Sequence, residues 1–337
     1  TEIYTLSLHD ALPIYLIYNS ILVDTLKSLR ITEGCKIHFH YNSSLLVKGK
    51  LLVEGSKKSP VVFRGDRLEH FYDNIPGQWG AFINLDQDNV YFLGGIHFLQ
   101  GSNNNSINWA IIQNATKGIM ADSTVTPGIP TLTLSNTIIG NMSLAGIHAQ
   151  GTSILASNCE ISNCGLMTLA LTVGGQYEFY HCTLANYYYD GSRRSPSVYL
   201  NNYFKSGGTT YQRPFLAQFA NCIISGGYTS TDTELEMDME GTAGIHYMYT
   251  FDHCLIKIPS DFNTSDTNMF KSIFKYKTGD PLFKTINYPK YNFSLDTLSV
   301  AKDKGSLYWG NYFPTDLNNQ NRLGDGHPDL GAYERIE

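Results

Sequence analysis

Asn158-Cys159-Glu160-Ile161 and His181-Cys182-Thr183-Leu184 stand 23 residues apart and share one frame: an amide or imidazole, a thiol, then a short run ending in an apolar residue. The frame returns at Asn221-Cys222-Ile223-Ile224 and His253-Cys254-Leu255-Ile256. Asn136-Thr137-Ile138-Ile139 fits it with Thr in place of Cys. In chain order the steps are 22, 23, 40 and 32 residues. The short steps match one coil of a solenoid, and the long ones match one coil plus an inserted loop. Alternating runs such as Leu132-Thr133-Leu134-Ser135 and Tyr177-Glu178-Phe179-Tyr180 lead into the frame, and a small residue and a second strand follow it, as in Gly146-Ile147-His148-Ala149. Strands this short need equivalents above and below them in register.

The N-terminal part follows the same plan at higher strand density. Ile21-Leu22-Val23, Ser28-Leu29-Arg30-Ile31, Lys36-Ile37-His38-Phe39, Ser44-Leu45-Leu46-Val47, Lys50-Leu51-Leu52-Val53 and Pro60-Val61-Val62-Phe63 are punctuated by Gly34, Gly49, Gly55 and Gly65. The reading is an all-β chain, a right-handed single-stranded parallel β-helix with inserted loops. A β-sandwich also has short strands at such spacings, but it has no use for a polar position at a fixed period.

Composition agrees. Charged residues are 16% of the 337, against roughly 25% in an average globular protein. Tyr (23) and Gly (30) are abundant, as strands and tight turns require. The net charge of −6 and the lack of a basic run speak against nucleic acid. No apolar stretch is long enough for a transmembrane helix. Thr1–Ile14 resembles a translated sequencing adaptor and is set aside as an artefactual leader. The β-helix is expected over 15–310, with a C-terminal tail over 311–337. A secretion signal or lipoprotein anchor is expected to have been lost ahead of Tyr15.

Of the six cysteines, four occupy one repeat position. They are expected to stack inward as free thiols, with disulfides second and zinc third, since no C-x2-C pair occurs.

The segment Lys48-Gly49-Lys50-Leu51-Leu52-Val53-Glu54-Gly55, Pro60-Val61-Val62-Phe63-Arg64-Gly65-Asp66, then Pro76-Gly77-Gln78-Trp79-Gly80, resembles right-handed parallel β-helix repeat proteins of Bacteroidetes-type bacteria, within the pectate-lyase-like superfamily. Ala81 stands where those proteins carry a second Gly. Asp280-Pro281-Leu282-Phe283, Ser299-Val300-Ala301-Lys302-Asp303-Lys304-Gly305 and Pro328-Asp329-Leu330-Gly331-Ala332-Tyr333-Glu334 are similar to their C-terminal tags, with Val300 and Lys302 departing from the usual Pro and Ile. The resemblance implies export, to the extracellular space or the outer-membrane surface. It implies a superfamily that includes polysaccharide lyases, glycoside hydrolases and proteins without activity, so fold alone does not give function.

Two segments are candidate sites. The first, Arg64 to Trp79, carries Arg64, Asp66, Arg67, Glu69, His70, Tyr72 and Asp73, a set able to bind or cleave an acidic sugar. Its plain alternative is a covering loop with Trp79 plugged into the core. In the second, Tyr187, Tyr188 and Tyr189 could stack on sugar faces, while Arg193 and Arg194 could hold a carboxylate or sulfate. The plain alternative here is packing over the coil edge. Glu234, Glu236, Asp238 and Glu240 would share one strand face. They are the one place for Ca²⁺, although the spacing matches no calcium loop and a solvated face is the simpler reading. Otherwise no cofactor or metal is expected. His148, His181 and His253 are read as repeat-position residues that cap turns, and the Asn at the same position as a ladder. No G-x-S-x-G, H-E-x-x-H or Walker motif occurs. The first expectation is therefore a secreted or surface β-helix that binds glycans or serves as a scaffold. A polysaccharide lyase or glycoside hydrolase comes second, and an adhesin-like protein binder third.

Overall fold

The computed structural model describes residues 3–6, 14–84, 90–124, 126, 128–189, 193–228, 232–241 and 246–336. The chain winds as a right-handed parallel β-helix. A ten-stranded parallel sheet runs from Ile14–Ile17 to Phe274–Lys275, and a sixteen-stranded sheet wraps the other sides. The larger sheet is two ladders joined where Ala145–Ser157 and Met167–Tyr180 run through a corner, with a bulge between Gln150 and Thr152. Ile3–Leu6 adds a rung beside Ser28–Thr32.

The repeated polar residue marks the corner into the ten-stranded sheet. Asn136, Asn158, His181, Asn221 and His253 all take left-handed backbone there, with φ between 48° and 52°. That region costs an ordinary L-residue about 1 kcal/mol or more and is least costly for short polar side chains. Trp109 and Ser272 take the same conformation at equivalent corners. Asn136 donates to Asn108 at 2.9 Å, Asn158 to Asn136 at 3.3 Å, and Asn221 to His181 at 3.0 Å, so the corner carries a side-chain ladder. His148 is a correction. It lies inside strand Ala145–Ser157, between buried Ile147 and Ala149, and faces outward.

The residue after each corner points inward. The ladder register aligns Cys35, Val61, Ala110, Thr137, Cys159, Cys182, Cys222 and Cys254 in one column. All six cysteines are buried, and none is in a disulfide. Each corner thiol reaches the carbonyl two residues back: Cys159 to Ser157 at 3.1 Å, Cys182 to Tyr180 at 3.3 Å, Cys222 to Ala220 at 3.3 Å and Cys254 to Asp252 at 3.5 Å. Thr137 does the same to Ser135 at 2.7 Å. Cys and Thr interchange because both put a small donor on that carbonyl. Deeper inside, Phe179, Phe219, Phe251 and Phe270 stack with centroids 5.2, 4.9 and 5.8 Å apart and rings within 12° of parallel.

The ladders stop at Lys275, short of the expected residue 310. The following chain folds back over the outside of the ten-stranded sheet. Leu282, Phe283, Phe293, Leu295, Leu317, Leu330 and Ala332 close a second core against Ala185, Ile223 and Leu255. The tail is pinned by Ala332 N–H on Thr183 Oγ1 at 2.9 Å, Gly331 N–H on the Asn221 carbonyl at 2.8 Å, and the Tyr333 hydroxyl on buried Glu160. Fully buried Arg322 donates to Asn158 Oδ1 at 3.1 Å. Burial, with Asp329 beside it, pushes Glu334 up to about 9 despite Arg322 at 3.5 Å, and burial raises Asp329 to about 6.

Phe219→Ala should cost about 3–5 kcal/mol, read from denaturant unfolding, because it opens a void between two stacked rings. An acid whose pKa is raised on folding stabilises most below its unfolded value and loses that contribution as pH rises through the folded one. Between pH 6 and 9 the wild-type unfolding midpoint should therefore fall relative to that of Glu334→Gln. Parallel pH profiles would show that Glu334 holds no extra proton in the fold.

Candidate functional site

The two candidate loops leave the ten-stranded sheet at the same corner, after Val61–Gly65 and after Thr183–Asn186. Four rungs separate them, about 19 Å at the usual strand spacing. They do not form one charged cluster. In the first loop, Arg64 pairs with Asp73 at 3.2 Å, Asp66 with His40 at 2.7 Å, Arg67 with Glu69 at 3.0 Å, and His70 with Asp73. Arg67 also lies 3.8 Å over the Tyr72 ring. These contacts hold the Glu69 and Asp73 carboxyls below their ordinary range, through Arg67 for the first and through His70 then Arg64 for the second. Trp79 is fully buried, stacked on Phe39 at 4.3 Å, with its indole N–H on the Gln113 carbonyl. This is the covering loop with an aromatic plug.

In the second segment, Arg193 is buried and bidentate to Glu234 at 2.6 and 2.8 Å. Glu234 also accepts from the Ser197 hydroxyl and the Tyr228 N–H. Arg194 is exposed. Tyr187 packs on Phe293 and Phe283, and burial raises its hydroxyl pKa. Tyr188 and Tyr189 turn outward beside the C-terminal hairpin. Tyr189 lies 4.5 Å from Tyr288, and both are nearly half exposed, with Tyr291 adjoining. The structure therefore brings an aromatic patch together there, with the nearer arginine committed to an internal ion pair.

The acidic run divides as the strand Leu235–Asp238 alternates. Glu234 is spent on Arg193. Asp238 accepts from the Tyr199 and Tyr203 hydroxyls at 2.9 and 2.7 Å, and Glu240 pairs with Lys205 at 2.9 Å. Glu236 is exposed, and partial burial raises its pKa. Among the described residues no three His, Cys, Asp or Glu side chains form a metal-holding group.

A lateral groove lies elsewhere, on the outward face of the ladder that carries the phenylalanine stack inside. Register places Ser153, Gln176, Leu216 and Met248 in one row and Leu155, Glu178, Gln218 and Thr250 in the next. The deepest part holds about 330 Å³ and continues into a second recess of about 140 Å³ that shares Gln176 and Glu178. Thr126, Gly128, Ile129 and Pro130 wall that recess. Beyond the second row, Tyr180 stacks on Trp309 and Phe313 at 4.7 and 5.0 Å, and Trp309 donates to Asp252 at 3.1 Å. Glu178 accepts from Tyr180 Oη at 2.7 Å and is the one carboxylate among the groove's lining residues. Asp252 lies two rungs and two residues away, about 12 Å by backbone spacing. The lining residues escaped the sequence reading because they come from four separate coils. The outward positions of the alternating strands were the available signal.

The chain matches no protein-family model and no curated protein. Among the described residues no helix is long and apolar enough to cross a membrane.

Breaking the Arg193–Glu234 pair leaves a buried carboxylate, so Arg193→Met should cost about 3–5 kcal/mol in denaturant unfolding. Arg67→Met should leave the midpoint unchanged, because both partners stand in solvent. Equal effects would show that the two loops are not anchored differently.

Proposed function

We propose that this protein is a secreted or cell-surface β-helix that holds an extended, uncharged glycan along the groove of Gln176, Glu178, Leu216, Gln218, Met248 and Thr250. The observation that carries this reading is the pair of registered rows. A linear polymer laid along the axis meets a polar and a partly apolar position on successive rungs, spaced by about 4.8 Å. Amides and a hydroxyl suit sugar hydroxyls, while Leu216 and Met248, both more than two-fifths exposed, suit the C–H faces of the rings. Glu178 and the net charge of −6 disfavour polyanions. The tyrosines at 188, 189, 288 and 291 offer a second stacking surface of the kind sugars use. Among the described residues that line the groove Glu178 is the one carboxylate, which favours binding over hydrolysis.

Native affinity electrophoresis in gels containing neutral or acidic polysaccharides tests this. Retardation by at least one neutral polysaccharide is expected. Gln176→Ala with Gln218→Ala should weaken it by about tenfold or more, as two lost hydrogen bonds of about 1 kcal/mol each require. No retardation by any neutral glycan, or retention undiminished in the double variant, would sink the groove reading and leave a scaffold.

A further inference from the structure

A different face carries chemistry that the groove does not use. On the ladder joined to it across the corner, His97, Met120, His148 and Ala170 stand in register, facing outward. Lys117 lies beside them, half-buried. Its Nζ is 3.1 Å from His148 Nδ1, 3.4 Å from the Phe92 carbonyl oxygen and 3.9 Å from Met120 Sδ, with the Tyr91 ring centroid at 6.0 Å. Every one of these neighbours is uncharged or, for the imidazole, kept so by the site. Asp122, the nearby carboxylate, is held by His97 at 3.0 Å, and Lys117 has no ion pair among the described residues. His148 Nε2 accepts from the Gln150 amide N–H at 3.1 Å, with the Thr172 hydroxyl at 3.5 Å, so the neutral ring carries its proton on Nδ1, facing the amine.

We propose that Lys117 is a reactive amine that captures the carbonyl of a small aldehyde or ketone, such as the open-chain reducing end of a sugar, with the His148 Nδ1–H holding it as the free amine. The nitrogen lone pair forms a C–N bond to the carbonyl carbon as the C=O π pair moves to oxygen. One N–H proton passes through solvent water to that oxygen and gives a carbinolamine. The oxygen then leaves as water with the second N–H proton, and C=N forms. Two conditions of the site favour this. Burial among uncharged groups lowers Lys117 to about 8, so an appreciable fraction is the free amine near neutral pH. Burial first, then Lys117, lowers His148 to about 3, so its ring is neutral and its Nδ1–H meets the lone pair of an unprotonated amine. Among the described residues the titratable groups near the amine are His148, His97, Asp122 and Tyr91. Of these Asp122 is the one that favours the ammonium, and it is outweighed by desolvation.

The test is reductive trapping. The full chain is incubated with glycolaldehyde and cyanoborohydride at pH 7, and each lysine is followed by peptide mass spectrometry over time. Lys117 should be modified about tenfold or more faster than the exposed Lys277 and Lys290. In His148→Phe the Lys117 rate should fall several-fold while those two stay unchanged. Modification of wild-type Lys117 at or below the rate of the exposed lysines would overturn the proposal without any variant needing to fold. An unchanged Lys117 rate in His148→Phe would overturn the role given to His148.

Discussion

Everything in this solenoid hangs on one corner. For ten strands to stack in a single parallel sheet, the chain must turn into that sheet sharply and in the same way on coil after coil. A residue in left-handed backbone does this, and Asn or His supplies it at least cost. The carbonyl two residues before the inward position accepts the corner N–H of the preceding coil, as Ser157 does from Asn136 and Tyr180 from Asn158. Cys159, Cys182, Cys222, Cys254 and Thr137 each add a second, short donor to that carbonyl from inside the narrow column. The cysteines are therefore corner residues before they are anything redox-active. Burial pushes the Cys159 and Cys222 thiols up, away from the reactive thiolate.

The same corner anchors the tail. Arg322 donates to Asn158, the Ser306 N–H to Asn221, and the Gly331 N–H to the Asn221 carbonyl, so the C-terminal segment reads the ladder from outside. It covers apolar side chains that the ten-stranded sheet would otherwise show to solvent. The part of that sheet under the tail is thus closed to a ligand, and the proposed working surfaces lie on the two ladders of the larger sheet. One bears the groove and the other the Lys117 cluster, with the bulge between Gln150 and Thr152 at their junction.

The coil was legible because its constraint repeats. Cys159 to Cys254 can be aligned by eye, and Trp79 announces itself as a plug by being the aromatic end of a charged loop. Other members of the column were hidden where the corner is built differently. Cys35 follows Gly34, which takes positive φ without needing a polar side chain, and Trp109 occupies a corner that no rule of residue preference would give it. His148 was misplaced because a histidine in an alternating strand looks the same in sequence as one at a turn. The tail was misjudged because its apolar residues follow no coil period. Their partner is the outside of a sheet, and that sheet's outward positions, such as Ile223 and Leu255, read as ordinary strand alternation.

The site was harder still, for a reason that follows from the fold. Inward positions are constrained by the residues directly above and below, so each coil predicts the next. Outward positions are constrained only where something covers them. Gln176, Glu178, Leu216 and Gln218 share no motif, and their kinship is created by the register of strands some 40 residues apart. The charged residues that drew attention in sequence, Arg64 to Asp73 and Arg193, are used to fasten loops. In a protein with so few charges, most have structural partners. A functional group is then better sought among polar side chains that the fold brings together without tying them to each other. The groove amides meet that description, and so does the Lys117 amine, which sits near Asp122 yet makes no ion pair with it.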